Sequence, residues 1–277
     1  MINSISAITT TRALASEIIS RCMVDIDAIS EASLRDRILF EMAQCKDVFD
    51  EGWYSPPPGG VAVLSDTEPF ERLQFQTLRN ATWWPTEASQ FSKETVAVVY
   101  LSPVEKSTGM IGDFGFTFYQ GDNIEIKEHI RTCYDAILSV AEHAKVGMSF
   151  AELFANATSA FEQARKGVNW MKTISDPLKG INLGHTVPGT YGDDFRSTGT
   201  FEEIKNEITT KRVYINVAEN FVIPETCAFT VEARLADLDN PDLPNVFFHF
   251  IVTFSEGKKE ILKNFEEVFK TANMDYI

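Results

Sequence analysis

The chain is poor in the residues from which zinc and redox sites are usually built. Its 277 residues include only four histidines and four cysteines. The cysteines are widely spaced and form no C-x-x-C pair, since they stand at Cys22, Cys45, Cys133 and Cys227. This spacing favours reduced thiols over a disulfide framework or a cysteine zinc site.

Positive charge and long apolar runs are also scarce. The 25 lysines and arginines are outnumbered by 40 aspartates and glutamates, so the net charge is -15. Such a field repels phosphate backbones, and we expect no nucleic-acid partner. No apolar run approaches the roughly 18 residues that a membrane helix needs, so we expect no membrane partner. The N-terminus lacks the basic start and apolar core of a secretory signal, which predicts a cytoplasmic location.

Apolar residues at spacings of three and four predict four helices in two pairs. The first pair covers residues 11–27 and 31–48, and the second covers residues 126–144 and 149–164. Gly147 is typical of a helix end. Ser149 and Glu152 form a capping-box pattern that predicts the start of the fourth helix.

Each predicted helix pair is followed by a stretch rich in predicted strands. In the first half these strands cover residues 61–64, 73–78, 96–101 and 110–119, and in the second half 181–185, 212–217, 227–235 and 246–254. Helices alternating with runs of strands predict an α+β protein with mostly antiparallel sheet. We expect one domain over residues 1–277, with halves of about 1–119 and 120–277 that share a core.

Four metal-capable side chains lie inside strand-like hydrophobic runs, and together they predict a site. They are Asp113, His185, Glu232 and His249. Burying such groups is costly unless they are paired, hydrogen-bonded or bound to a metal. The alternatives are structural roles. The aspartate would bond to backbone N–H groups, the first histidine would be hydrogen-bonded near a turn, and the second histidine would be a satisfied core residue. The glutamate would form an ion pair with Arg234 or Arg212.

Three segments resemble one family when they are taken in order. They are Met-Ile-Gly-Asp-Phe-Gly at 110–115, Leu-Gly-His at 183–185 and Ile-Pro-Glu-Thr-Cys-Ala-Phe-Thr-Val-Glu at 223–232. Their order resembles the pita-bread fold of methionine aminopeptidase, prolidase, aminopeptidase P and creatinase. The resemblance implies two pseudo-symmetric halves, each a helix pair plus antiparallel strands, and it implies that Asp113, His185 and Glu232 are metal ligands.

The chain departs from that pattern at several of the family's functional positions. The family's second aspartate falls in register with Ile124, and Glu125 replaces it only after a one-residue insertion. The final glutamate falls on Phe248, with His249 beside it. The further histidines of the family have no counterpart in residues 190–194 or before residue 129.

The surviving set predicts a reduced metal site. Asp113, His185 and Glu232, with Glu125 or His249 as a further ligand, suit one divalent ion such as manganese, zinc or iron. A metal-free site is the alternative, because creatinase-type members cleave a C–N bond without a metal. We expect Glu232 and His185 to be catalytic in either case.

An aromatic region in the first half predicts a substrate-binding wall. Arg79 suits a substrate carboxylate, because its planar guanidinium binds carboxylates with two parallel hydrogen bonds. Tyr54, Trp83 and Trp84 suit an apolar or cationic group. The alternative is that these aromatic side chains fill the core or an oligomer interface.

The resemblance implies a metallopeptidase-like hydrolase or lyase. It would act on a C–N bond of a small amide, amidine or amino-acid-derived substrate, or of a short peptide. The alternative is an inactive pita-bread domain that binds a peptide or protein. A homodimer is also implied, because several members of the family pair.

Overall fold

The computed structural model describes residues 4–75, 77–168 and 181–277. These residues form six α-helices, numbered here in chain order: α1 Ser4–Cys22, α2 Glu31–Ala43, α3 Ile124–His143, α4 Phe150–Gln163, α5 Phe201–Lys211 and α6 Glu266–Thr271. The predicted helix pairs are α1 with α2 and α3 with α4. The capping box predicted for α4 is present, because Ser149 accepts from the backbone N–H of Glu152 and the Glu152 carboxylate accepts from that of Ser149.

Within the described residues, seven strands form one antiparallel sheet across both halves of the chain. They are β1 Val61–Asp66, β2 Val96–Leu101, β3 Phe114–Tyr119, β4 Lys166–Val168, β5 Cys227–Asp237, β6 Val246–Ser255 and β7 Lys258–Leu262. The order is β1-β2-β3-β6-β5-β4, and β7 pairs with β6. The halves meet where β3 pairs with β6 through Phe116 and Phe248. The α+β class and its antiparallel sheet are confirmed.

One face of the sheet packs on the helices through a cluster of aromatic rings. Phe265 lies at its centre, with ring centroids 5.0 Å from Phe114, 5.4 Å from Phe250 and 5.8 Å from Phe248. The ring of Tyr134 brings α3 to the same cluster, 5.1 Å from Phe248. Burying large aromatic side chains is the main favourable term in such a core. Many of the phenylalanines are therefore explained by packing.

Several predicted elements differ from those observed. Helix α1 begins seven residues before the predicted start, because Ile5 and Ile8 extend its buried stripe. Where a strand was predicted at 73–78, the described residues include the short 3-10 helix Glu71–Gln74. The predicted strands at 181–185 and 212–217 are reduced to an isolated bridge between His185 and Tyr214.

Strands β4 and β7 and helices α5 and α6 were not predicted. Strand β7 has the sequence Lys-Lys-Glu-Ile-Leu, in which polar and apolar residues do not alternate, and its first three side chains are exposed. The sequence therefore gives no strand pattern there. Helix α5 buries only Ile204 and Ile208, yet Thr200 and Glu203 form a capping box at its start. That box was a usable signal, because it has the same spacing as the one that opens α4.

Candidate active site

The second face of the sheet carries the candidate site. Glu232 on β5 lies directly opposite His249 on β6. Residues directly opposite in an antiparallel pair share a face of the sheet, so the two side chains lie on the same side without any slip in register. Phe248, which the sequence resemblance aligned with the family's final glutamate, faces the aromatic core instead.

A cavity of about 620 Å3, its mouth included, opens on this face. Its walls are largely aromatic, with polar groups from both halves of the chain. They comprise Trp53, Tyr54, Phe75, Leu78, Arg79, Val98, Tyr100, Asn182, His185, Arg212, Tyr214, Glu232 and Phe247.

Asp113 lies behind the cavity wall, immediately before β3, and is fully buried. Trp53 donates from Nε1 to Oδ1 at 2.7 Å, and the hydroxyl of Tyr100 donates to Oδ2 at 3.0 Å. Burial raises the pKa of Asp113 to about 7, although these two hydrogen bonds oppose the rise. Both donors line the cavity, so Asp113 holds the side chains of Trp53 and Tyr100 in place from outside the cavity.

Glu232 is the carboxyl group that reaches the cavity itself. Burial raises its pKa to about 7, and the nearby charge of Asp113 adds to the rise, while Arg212 opposes it. A carboxyl group with such a pKa is protonated in part of the molecules at neutral pH. It therefore has the property that a general acid or base needs near pH 7.

His185 is held in one orientation by its backbone and by one side-chain contact. It follows Gly184, whose φ of +125° and approach to Thr230 leave no room for a side chain. Its Nδ1 lies 2.9 Å from the carbonyl oxygen of Thr186, so Nδ1 is the donor and Nε2 keeps a lone pair. Burial lowers the pKa of His185 well below its usual value, and the charge of Arg212 lowers it further.

His249 has the opposite arrangement of its ring nitrogens. Nη1 of Arg12 donates to Nδ1 at 3.2 Å, so Nε2 carries the hydrogen. Nε2 is buried and has no hydrogen-bond partner among the described residues. Burial and Arg12 together lower the pKa of His249 well below its usual value. Because Nδ1 accepts from Arg12 and Nε2 carries the hydrogen, the neutral ring of His249 has no lone pair left for a metal.

Arg212 was considered in the sequence only as a partner for Glu232, yet it is a major charge of the site. Its guanidinium carbon lies 4.6 Å from the ring centroid of Trp53 and 5.2 Å from that of Tyr214. It forms no ion pair within 4.0 Å in the described part of the chain, so the predicted alternative of a Glu232–Arg212 pair is wrong. No local sequence pattern indicated its position, because it follows the exposed end of α5.

The predicted substrate wall is only partly assembled. Tyr54 and Arg79 line the cavity, with the guanidinium carbon of Arg79 5.2 Å from the tyrosine ring centroid. Trp83 and Trp84 do not line it, and Nε1 of Trp84 donates to the carbonyl oxygen of Leu78 at 3.0 Å. Both tryptophans are half-buried, so the packing role considered for them fits better.

Glu125 also lies away from the cavity. It is exposed in the first turn of α3 and accepts a hydrogen bond from Nδ2 of Asn240 at 2.7 Å. Glu125 therefore does not take the place of the family's second aspartate, as the one-residue insertion considered in the sequence would have required. Its place at a helix start is explained by the helix dipole, which favours acidic side chains there.

The residues of the site do not fit the predicted divalent ion. Within residues 4–75, 77–168 and 181–277, no three histidine, cysteine, aspartate or glutamate side chains are placed to hold a metal. Both oxygens of Asp113 accept hydrogen bonds, His249 presents an N–H, and Glu125 is remote. The guanidinium of Arg212 already places positive charge near Asp113 and Glu232, which makes a nearby cation unfavourable.

No family model and no curated protein matches the sequence. Solved structures do match. The X-Pro aminopeptidase of Thermotoga maritima aligns with a TM-score of 0.62 at 14% identity, covering 94% of this chain and 60% of that one. The Xaa-Pro dipeptidase of Bacillus anthracis gives 0.63 and 14%, with the same coverage. The prolidase of Pyrococcus furiosus gives 0.59 and 15%, covering 92% and 63%.

These similarities establish a class of fold. The chain has the pita-bread fold, as its order of motifs implied, in a divergent form that spans about 60% of the length of the structures it matches. At this level of identity the likeness extends to the fold alone. None of the described helices is long and apolar enough to cross a bilayer.

Proposed function

We propose that the chain cleaves a C–N bond of a small amide, amidine or amino-acid-derived substrate by acid–base chemistry, without a divalent metal in the site. The observation that carries this proposal is Glu232, a carboxyl group in the cavity with a pKa of about 7. The pita-bread structures that resemble the chain are named as peptidases, which act on C–N bonds, and this supports the coarse class of hydrolase.

In hydrolysis the ionised Glu232 takes a proton from a water molecule as the water oxygen bonds to the substrate's acyl carbon. The resulting carboxylic acid then gives that proton to the leaving nitrogen as the C–N bond breaks. This exchange uses both protonation states of one group, which a pKa near 7 favours. Nε2 of His185 supplies a hydrogen-bond acceptor in the same cavity for a water or substrate N–H.

The experiment is a screen of N-acylamino acids, short peptides and amidines by mass spectrometry, with Glu232→Gln as the test variant. We expect the variant to lose about 100-fold or more in kcat/KM, because the amide cannot carry the proton. We also expect kcat/KM of the wild type to rise with pH through about 7, as Glu232 ionises. Glu125→Gln is the matched control, since Glu125 is exposed and remote, and it should keep full activity.

Full activity in Glu232→Gln would refute the assignment of Glu232. A broad screen without turnover would instead favour the second candidate, a pita-bread domain that binds a peptide or small molecule. The observation that supports that candidate is that no set of metal ligands is assembled in the described residues. The aromatic cavity would then be a binding site only.

A further inference from the structure

Arg212 differs from Arg12 and Arg72, whose guanidinium groups donate hydrogen bonds to oxygen atoms of the protein. Arg12 donates to the carbonyl oxygens of Asp113, His249 and Lys263, and Arg72 donates to both carboxylate oxygens of Glu31. The guanidinium of Arg212 donates no hydrogen bond to any described residue, and its Nε is buried without a partner. Leaving a charged donor unsatisfied is costly, so a ligand that satisfies it binds with a gain.

Two aromatic rings hold this guanidinium at the cavity wall. Its carbon lies over the rings of Trp53 and Tyr214, and all three side chains line the cavity. Cation–π contacts fix the position of an arginine without using its N–H donors. Arg212 therefore keeps its hydrogen-bonding edge for another partner.

The carboxyl groups of the protein do not fill that role. Neither Asp113 nor Glu232 comes within 4.0 Å of the Arg212 nitrogens in the described chain. Asp113 is satisfied by Trp53 and Tyr100. The cavity wall thus carries a fixed positive charge, and neither Glu232 in the cavity nor Asp113 behind its wall pairs with it.

We propose that Arg212 binds the carboxylate of a ligand in this cavity, so that the substrate or ligand is an anionic amino-acid derivative rather than a neutral amide. The planar fork of an arginine matches a carboxylate with two parallel hydrogen bonds. The apolar walls at Phe75, Leu78 and Phe247 then receive the uncharged part of the ligand. This proposal takes the ligand class from the proposed function, but the carboxylate contact does not require turnover.

Arg79 is the competing candidate, and its geometry is different. Its Nη1 already donates to the carbonyl oxygen of Ser55 at 3.3 Å, and its guanidinium lies over Tyr54. We therefore expect Arg79 to shape the cavity and Arg212 to bind the carboxylate. Matched variants of the two arginines separate these roles.

The test is calorimetric titration of the full chain with hippurate, which has a carboxylate, an amide and an apolar ring. Its methyl ester keeps the amide and the ring but replaces the carboxylate with a neutral ester group. We expect hippurate to bind the wild type. The ester should bind with an affinity at least about tenfold lower. Arg212→Met should weaken hippurate binding by a similar factor or more and leave ester binding unchanged, whereas Arg79→Met should have a smaller effect. Arg212→Lys should recover part of the binding, because it keeps the charge but not the fork.

Equal affinities of the wild type for hippurate and for its ester would overturn the proposal. This comparison needs no variant, so the test remains decisive even if Arg212→Met does not fold. Loss of binding in Arg79→Met but not in Arg212→Met would overturn it as well. Failure of hippurate, N-acetylglycine and N-acetylproline to bind at millimolar concentration would do the same. Binding without turnover would support the carboxylate site while counting against the proposed hydrolysis, and turnover of neutral amides alone would do the reverse.

Discussion

Arg12 on α1 lies 3.2 Å from Nδ1 of His249, although the two residues are 237 positions apart in the chain. The same guanidinium donates to the carbonyl oxygens of Asp113 and His249 and packs over the ring of Phe114 at 4.9 Å. One side chain from the first helix thus fixes the start of β3 and the middle of β6. It also fixes the tautomer of His249 and so removes this histidine as a metal ligand.

Replacing Arg12 with methionine should destabilise the protein by about 3 kcal/mol or more, because several buried carbonyl oxygens would lose their donor. Urea unfolding measures the change. Arg21→Met, on the same helix, is the control. Arg21 is exposed and pairs with Glu17 and Glu41 at the surface, so its loss should cost less than about 1 kcal/mol. Equal effects of the two variants would contradict the role assigned to Arg12.

Asp113 should make a pH-dependent contribution to stability. Its pKa is about 7 in the folded protein, and the ordinary value is 3.8, so the folded state binds the proton more tightly. The contribution is fully present below about pH 4 and is lost as pH rises through about 7. The lowered pKa values of His185 and His249 act in the opposite direction, because burying them neutral costs stability as pH falls.

The comparison with Asp113→Asn isolates the carboxyl group from these histidines. The free energy of unfolding of the wild type, minus that of the variant, should fall as pH rises from about 4 to about 7, by up to about 4 kcal/mol. Urea unfolding at a series of pH values measures it. A difference that rises with pH over this interval would mean that Asp113 is ionised in the folded state.

Gly184 should not tolerate a side chain. A Cβ there would lie 2.3 Å from the carbonyl oxygen of Thr230, and the φ of +125° disfavours any other residue. Gly184→Ala should therefore lose about 2–4 kcal/mol more than Gly147→Ala, and it should displace His185. Gly147 is the matched control, because its φ is also positive but nothing lies within 4 Å of its Cβ position. Comparable unfolding midpoints would contradict the close contact.

The site should not require a divalent ion. Elemental analysis of protein purified without chelator should find far less than one ion per chain. Added manganese, zinc or ferrous iron, or a chelator, should leave the unfolding temperature unchanged, because binding to the folded state would raise it. Roughly one ion per chain that disappears in a His185→Ala and Glu232→Ala double variant would refute this prediction.

Local sequence patterns were sufficient to predict the helices and strands that are marked by capping residues or by apolar spacing. The capping residues Ser149 and Glu152 and the apolar spacing of α3 predicted the second helix pair, and strand β2 was predicted at its observed bounds. Strand β7 could not be predicted in this way, because its pairing with β6 is satisfied by backbone groups while its side chains stay exposed. The order of the segments around Asp113, His185 and Glu232 indicated the fold.

The sequence by itself determined the α+β class, the helix pairs and the candidates for a polar site, because these depend on periodicity and on residue type. Only the tertiary structure decided which candidates meet. It separated Glu125 and Trp84 from the cavity and added Arg212 to it. It also committed His249 to Arg12. These outcomes depend on contacts between residues distant in the chain, and such contacts leave no periodic pattern in the sequence.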